Sequence, residues 1–594
     1  MMVATHPPRP RLRLNVGITG HRIRAFTPEQ LREIGPVLDR LFADLAAAAR
    51  ELDAAERDLF DGSEPVLRLH TPLAAGSDQL AATSARRAAF TVRALLPFAA
   101  EDYRQDFAGR ELAEFQSQLD QADTVFALPG DRNADDAYVM VGKAVIAASD
   151  ILIAIWDELP AAGPGGTAHV VELAHDAGVP VIHVPIDRQR NEIGEIGLLA
   201  NDGSDENPAH ERPLRNYRAL VADVLAPHDR VERQHLHDYF RETERRTNRR
   251  FEYPVMLALL GVKKLGMPWR QNSIEEDIEA EWSSLRETYP AAIRKPLEQS
   301  YAWANFLAIR YAQKFRSGHI TNYALSALAV LIALTGLIVP AVKLYLVMLE
   351  LAVIFLIFLN TRAGRKGDWH RRWLQYRHLA ESLRPLIYLK RIGLAGPPFR
   401  TDRIHMSANR TKIDRDWTRW YATAIWREMA SPSGEIKTSD IPHLVETVIA
   451  ECIRPQADYH RVNAHRMRHL DHRLHELGSM IMGTVIAACG LFIAGYFLLP
   501  SLISEMAVAL VFLTAGLPAA GAAVFGMRGH GEHLLQASRS ADTALALDES
   551  SMRIRSITDL EALAKELQRM ASIMLADLDE WTTSYSERSL EIPA

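Results

Sequence analysis

Four stretches of this chain lack charge for so long that they decide its architecture. Tyr323–Val339 carries no charged side chain and Leu344–Leu359 carries only Glu350, with Pro340–Lys343 between them. Met480–Leu499 and Met506–Phe525 form a second pair around Pro500–Glu505. At 1.5 Å rise per residue, runs of about 16–20 residues approach the roughly 30 Å of a bilayer's hydrocarbon. The competing arrangement, four core helices of a soluble bundle, would need helices with no polar face, which soluble helices rarely lack for so long. The sequence therefore predicts four membrane spans in two hairpins, at 323–339, 344–359, 480–499 and 506–525. The mean hydropathy of -0.10 conceals them, because the apolar residues are strongly segregated.

The flanks predict an orientation. Lys314, Arg316, Arg362, Arg365 and Lys366 lie outside the first pair, against Lys343 alone in its loop. Arg466, Arg468, Arg473 and Arg528 flank the second pair, whose loop has no Lys or Arg. Excess Lys and Arg marks the cytoplasmic side, so both loops are expected outside, with the N-terminal region, the middle segment and the C-terminus in the cytoplasm. The hairpins also read as a repeat. Leu374-Gln375, Leu379-Ala380-Glu381 and Leu386 follow the first, and Leu535-Gln536, Ser540-Ala541-Asp542 and Leu547 follow the second at one offset. Ser431–Pro442, rich in Ser, Pro and Gly, reads as the linker between the two units.

The N-terminal third carries a different pattern. Short apolar runs at Leu14–Ile18, Val66–His70, Val92–Leu96, Thr124–Leu128, Ile151–Ile155 and Val179–Val184 alternate with helical stretches such as Pro28–Leu52, Ser77–Ala89, Arg110–Gln121 and Gly166–Ala177. Continuous apolar strands alternating with helices predict an α/β, Rossmann-like parallel sheet whose strand ends share one ligand-binding rim. Asn191–Pro213 reads as a loop, and Tyr217–Arg250 as helical and charged. Its terminal Arg245, Arg246, Arg249 and Arg250 read as a solvated face near a membrane surface. The domains expected are 1–190, a linker with cytosolic helices at 191–300, and hairpin units at 301–430 and 431–594.

Three turns at the expected rim could carry chemistry. Val16-Gly17-Ile18-Thr19-Gly20-His21-Arg22 follows the first strand; its glycines allow close backbone approach and Arg22 could pair with a phosphate, while a plain tight turn is the alternative. The Gly-Lys-Ser/Thr ending of a phosphate loop is absent. Gly76-Ser77-Asp78 follows the second strand, where Ser77 or Asp78 could simply cap a helix. Trp156-Asp157 leads to Gly165-Gly166-Thr167 and a helix carrying Glu172, a further anion cradle. The set of Gly20-His21-Arg22, Gly76-Ser77-Asp78 and Gly165-Gly166-Thr167 with Glu172 resembles the SLOG superfamily, over about Arg11–Pro185. That group includes the cytokinin-activating "lonely guy" phosphoribohydrolases, the DNA-processing protein A fold and nucleotide-sensing domains of bacterial defence systems.

The hydrolases typically show Pro-Gly-Gly-x-Gly-Thr-x-x-Glu. This chain lacks the extra Gly and sets Glu172 five residues after Thr167, so a binding-only domain is expected, with no catalytic residue. A membrane-tethered N-glycosidic hydrolase using Glu172 or Asp157 is the alternative. Trp373, Tyr376, Arg377, Ala380 and Glu381 resemble the SLATT effector type. The two resemblances together imply a bacterial inner-membrane homo-oligomer that responds to a nucleotide second messenger, a cyclic nucleotide or an ADP-ribose derivative, by forming a pore in anti-phage defence. No cofactor or metal is implied.

Other features narrow the field. Glu350 lies mid-span, where ionisable groups are costly and often functional, and is read as a pore or gate residue. Pro518, between Gly516 and Gly521, is read as a hinge. His465, His469, His472 and His475 share a helical face; a solvated interface is expected, with pH sensing or adventitious metal the alternative. The pair His530 and His533 is read in the same way. A net charge of -6 and no aromatic-interleaved basic patch argue against a nucleic-acid partner. Two cysteines, Cys452 and Cys489, make no disulfide framework. The residues up to Arg13 have no apolar core, so no secretory signal is read there.

Overall fold

A computed structural model describes residues 5–586 apart from 135, 162, 188–191, 200–210, 228, 248–249, 265, 268–269, 400–415 and 499. Six parallel strands form its centre: β1 (Arg13–Gly20), β2 (Val66–Thr71), β3 (Thr91–Leu96), β4 (Thr124–Ala127), β5 (Ile151–Trp156) and β6 (Val181–Asp187). Their order is β4-β3-β2-β1-β5-β6, so the chain reverses direction across the sheet between β1 and β5. The intervening helices are α1 (Pro28–Ala55), α2 (Ser77–Arg87), α3 (Ala100–Tyr103), α4 (Arg110–Asp120), α5 (Asp136–Ala148) and α6 (Thr167–Asp176). The first of them shows why they form. A capping box joins Thr27 and Gln30, and Ile34, Leu38, Leu41, Leu45, Ala49 and Leu52 recur every three or four residues along its buried stripe.

The sheet is wider than the sequence predicts. The expected loop at Asn191–Pro213 contains β7 (Glu192–Ile193), β8 (Gly197–Leu199) and β9 (Glu211–Pro213), which extend the β6 side antiparallel; its residues 191 and 200–210 lie outside the described ones. The expected linker at Ser431–Pro442 supplies β10 (Gly434–Glu435), parallel to β4 at the opposite edge. Tyr217–Arg250 is two helices, α7 (Tyr217–Leu225) and α8 (Arg230–Phe240), the second capped by the Asp229 carboxylate. Pro227 between them cannot donate to a helix ladder. Beyond α8, Arg245 is exposed and bonds the nearby Thr243, as the solvated-face reading has it. Arg246 and Arg250 are instead held in tertiary contacts, which corrects that reading for them. Arg246 pairs with Glu276 at 2.8 Å, while Arg250 pairs with Glu252, bonds Asn360 and covers the Trp369 ring. Arg249 lies outside the described residues.

Next come α9 (Glu252–Leu259), α10 (Ile274–Trp282), α11 (Ala291–Ile338), α12 (Lys343–Lys366), α13 (Trp369–Leu383), α14 (Leu386–Ile392), α15 (Asp416–Glu428) and α16 (Ile441–Val448). The chain ends in α17 (Arg454–Leu498), α18 (Pro500–Gly531), α19 (His533–Arg555) and α20 (Leu560–Ser586). Four helical stretches are long and apolar enough to cross a membrane. Leu344, Phe497 and Leu498 leave more than 70% of their surface uncovered, an apolar exposure of the kind that marks a membrane or interaction surface. At 48 residues α11 rises about 70 Å, far more than a bilayer needs, so its first half stands clear of the span.

Both hairpins end alike. Asp368 and Glu532 adopt the left-handed conformation (φ 47° and 43°) and break the second helix of each unit before α13 and α19. These breaks stand 164 residues apart, whereas the leucine and acidic positions of the sequence repeat stand 161 apart. The returning helices are thus offset by nearly one turn from the register the sequence suggests. Each packs back on the first helix of its own unit, α13 on α11 and α19 on α17.

The sheet and these helices share one continuous apolar cluster, running from Leu14 and Ile153 through Tyr239, Tyr301 and Leu379 to Trp417, Val448 and Leu567. Tyr239 stands 5.2–5.5 Å, centroid to centroid, from Tyr376, Trp417 and Tyr421. At the foot of the central strand, Asp150 accepts the Asn15 backbone N–H (3.0 Å) and side-chain amide (3.1 Å), and pairs with Arg427 of α15 at 2.8 Å. Arg427 also donates to the Val224 carbonyl. Removing one member of such a buried pair strands the other. Asp150→Ala is expected to cost about 3–5 kcal/mol, seen as a lowered thermal midpoint of the full chain in detergent. The double variant Asp150→Leu/Arg427→Met should recover most of that loss.

Candidate functional site

The parallel register brings the ends of β1, β2 and β5 to one rim at the point where the strand order reverses. The turns after β1 and β2 are zipped together. Arg22 and Gly76 form an antiparallel bridge, and Ile23 N–H donates to Ala75 O at 3.0 Å. The Ser77 N–H and hydroxyl both donate to His21 O, at 3.2 and 2.8 Å. Gly76 is required here: its φ is 113°, and a Cβ would stand 2.5 Å from Ile23 N. Gly20 is pressed as closely against the Ser77 side chain. Gly20, Gly76 and Ser77 therefore weld two turns into one rigid ledge.

Neither Ser77 nor Asp78 caps α2, contrary to the capping expectation. Gly76 occupies the N-cap without a side-chain bond, and Asp78 turns back to accept the Ala74 N–H at 3.2 Å. Burial raises the Asp78 pKa to about 7, although the Ala74 bond and the Arg22 charge both act to lower it.

Across the reversal point His21 Nε2 meets Asp157 Oδ1 at 2.8 Å, joining the ends of β1 and β5. Arg22 reaches the other way, its guanidinium 5.9 Å from the Tyr138 ring centroid. The Tyr138 hydroxyl donates to Asp106 at 2.5 Å, and Arg132 pairs with the same carboxylate at 2.8 Å. Tyr138, Asp106 and Arg132 are the rim residues that sequence reasoning missed. Asp106 and Arg132 follow β3 and β4, so attention to every strand end, glycine-rich or not, would have found them.

The third turn closes on the same neighbour. Gly165, at φ 75°, runs so near the Tyr138 backbone that a Cβ would lie 2.8 Å from it. Gly166 is the N-cap of α6 and Thr167 is buried beneath the first turn, whose N–H groups are the natural place for an anion. The remaining candidates sit elsewhere. Gly17 is buried below the rim against Ser149 and Val145, Thr19 is half-buried on β1, and Glu172 lies on the exposed side of α6, opposite Val170 and Ala174. The rim thus offers the start of α6, the Arg22 guanidinium and the paired His21 and Asp157 side chains.

In the apolar helices, Glu350 lies on the stripe of Leu346, Val353 and Ile357 that packs toward α11. Pro518 sits within a helix unbroken from Pro500 to Gly531, and Gly516 presses against Leu331 of α11. A polar knot that the sequence reading passed over joins α11 and α12. Asn360 donates to Asn322 (2.7 Å) and Gly318 O (2.9 Å), and Asn322 donates to Thr361 (3.0 Å). On α17, His472 pairs with Glu476, His475 meets Arg528, and the His465 and His469 rings stack. His530 meets the Tyr323 hydroxyl at 2.6 Å, and burial lowers the pKa of His533 to about 4. Among the described residues no group of three or more His, Cys, Asp or Glu side chains is arranged to hold a metal ion.

No family model matches the chain, and no curated protein or solved structure is significantly similar to it.

Asp78 yields a pH prediction. Its folded pKa lies above its unfolded value, so the folded state holds the extra proton between about pH 4 and 7. Stability should fall as pH rises through that window and level off above it. Asp78→Asn should remove this fall, read as thermal midpoints at pH 5 and pH 8.

Proposed function

We propose that the chain is a membrane sensor–effector whose Rossmann-like domain binds a nucleotide-derived messenger at the strand rim and whose hairpins open or assemble a pore. The ligand is an anion such as a cyclic nucleotide or an ADP-ribose derivative, held by Arg22, the start of α6 and the ledge of Gly20 and Gly76. The observation that carries this reading is the shared core. The foot of β1 is tied through Asp150 to Arg427 of α15, and the linker between the hairpins pairs with the sheet edge at β4. Among the described residues, the sheet that carries the rim and the helices that lead into the spans therefore share one packed core.

A ligand moves such an equilibrium only by binding one form more tightly than the other. The working assembly is a homo-oligomer in a bacterial inner membrane, with the sheet domain cytoplasmic, and its role is anti-phage defence. Dye-loaded liposomes carrying the full chain should leak when a cyclic nucleotide or ADP-ribose variant is added, and Arg22→Gln should abolish that response. Leakage that stays at baseline with every such ligand defeats the reading.

Orientation has its own test. A cysteine at Val342 should react with an impermeant maleimide added outside intact cells, and one at Lys366 only after lysis, in a background with Cys452 and Cys489 replaced. The reverse pattern would place the sheet domain outside.

A further inference from the structure

A cavity of about 610 Å³ lies away from the strand rim, where the two hairpin units meet beyond their spans. The first unit contributes α11 and α13 to its wall, and the second contributes α17 and α19; α9 and α20 add apolar side chains such as Leu257 and Leu575. None of the rim residues lines it.

Its charge is one-sided. Lys263, Lys264, Arg270, Arg316, Arg377 and Arg539 face the cavity, with Glu381 the one carboxylate among the described lining residues; Arg270 also reaches Glu276, outside the cavity, at 3.9 Å. Glu381 is already engaged, by Arg377 at 2.6 Å and Arg384 at 3.4 Å. Among the described residues Lys263, Lys264 and Arg316 make no ion pair. Arg316 is nonetheless fixed in place, its guanidinium 5.2 Å from the ring centroids of both Tyr253 and Trp373. A guanidinium held by its faces keeps its N–H edge for acceptors in its own plane, the geometry that suits a phosphoryl group.

Like charges gathered in a concave, partly desolvated wall repel one another and focus a positive potential, which an anion relieves. The volume falls within the range of small-molecule sites, and the apolar and aromatic part of the wall suits more than a bare ion. We propose that this cavity binds a phosphate-bearing organic anion, with Arg316 and Arg539 on the phosphoryl group and Lys263 and Lys264 at the mouth. Because both units build the wall, an occupant ties α13 to α17 and α19 and fixes how the hairpins sit against each other. Free nucleotides and anionic lipid headgroups share this chemistry.

The test uses the full chain in phosphatidylcholine nanodiscs, titrated with ADP and with inorganic pyrophosphate, and separately the chain in phosphatidylglycerol nanodiscs. Binding is read by calorimetry and by thermal midpoint. For a soluble ligand, ADP or pyrophosphate binds and weakens as salt rises. Arg316→Gln/Arg539→Gln then loses roughly tenfold or more in affinity, a change of about 1.4 kcal/mol, while Arg22→Gln binds as the parent does. For a lipid headgroup, only phosphatidylglycerol raises the midpoint, and the double variant cancels the rise. Lys263→Gln/Lys264→Gln, at exposed positions that the fold does not need, should weaken either kind of binding. The proposal is overturned if no probe binds or stabilises, or if binding survives both double variants. It is also overturned if binding is lost only in Arg22→Gln, which would assign it to the rim.

Discussion

The carboxylate of Asp150 is shared between the foot of the central strand and an arginine that the chain reaches 277 residues later. A buried ion pair of this kind adds little net stability over a well-packed apolar pair, because both partners lose their hydration. What it does add is a penalty for every arrangement that separates them. With Asn15, Val224 and Arg427 all satisfied through one carboxylate and one guanidinium, α15 can dock on the sheet in one register. The aromatic cluster around Tyr239 then packs around a geometry already chosen, and the helices between inherit it.

The apolar helices obey a different constraint. In hydrocarbon a backbone must satisfy its own hydrogen bonds, so a helix can end only where water or protein takes over. Asp368 and Glu532 are the breaks at which the second helix of each hairpin stops. Each puts an acidic residue in a left-handed turn, and the chain doubles back along the first helix. The knot of Asn322, Asn360 and Thr361 serves the same end in the first hairpin, satisfying side chains that would otherwise face an apolar neighbour.

Much of this was legible in the residues, and the limits have physical causes. The spans could be read because uniform apolarity needs no partner to be recognised. The six central strands could be read because strands covered on both faces are apolar throughout. Three rim turns announced themselves through glycine. Tyr138, Asp106 and Arg132 did not, since their significance lies in converging from separate turns. Gly434 and Glu435 look like linker because two residues carry no periodicity; only the exposed edge of β4 makes them a strand. Arg246 and Arg250 look solvated for the same reason, their partners Glu276 and Asn360 being remote in sequence. The matching leucines suggest one register for the two returning helices, whereas the breaks at Asp368 and Glu532 start them three residues away from it.

The pairing of Gly434 and Glu435 with β4 has a consequence for how the molecule comes into being. A sheet edge left open invites the wrong partner, and here the strand that closes it is synthesised only after the first hairpin. Helix α15, which brings Arg427 to Asp150, is equally late. The N-terminal sheet thus leaves the ribosome early but cannot be completed until two spans have been made. Synthesis of the first apolar hairpin and closure of the sheet are steps of a single assembly sequence, and the nascent domain must wait with one edge open.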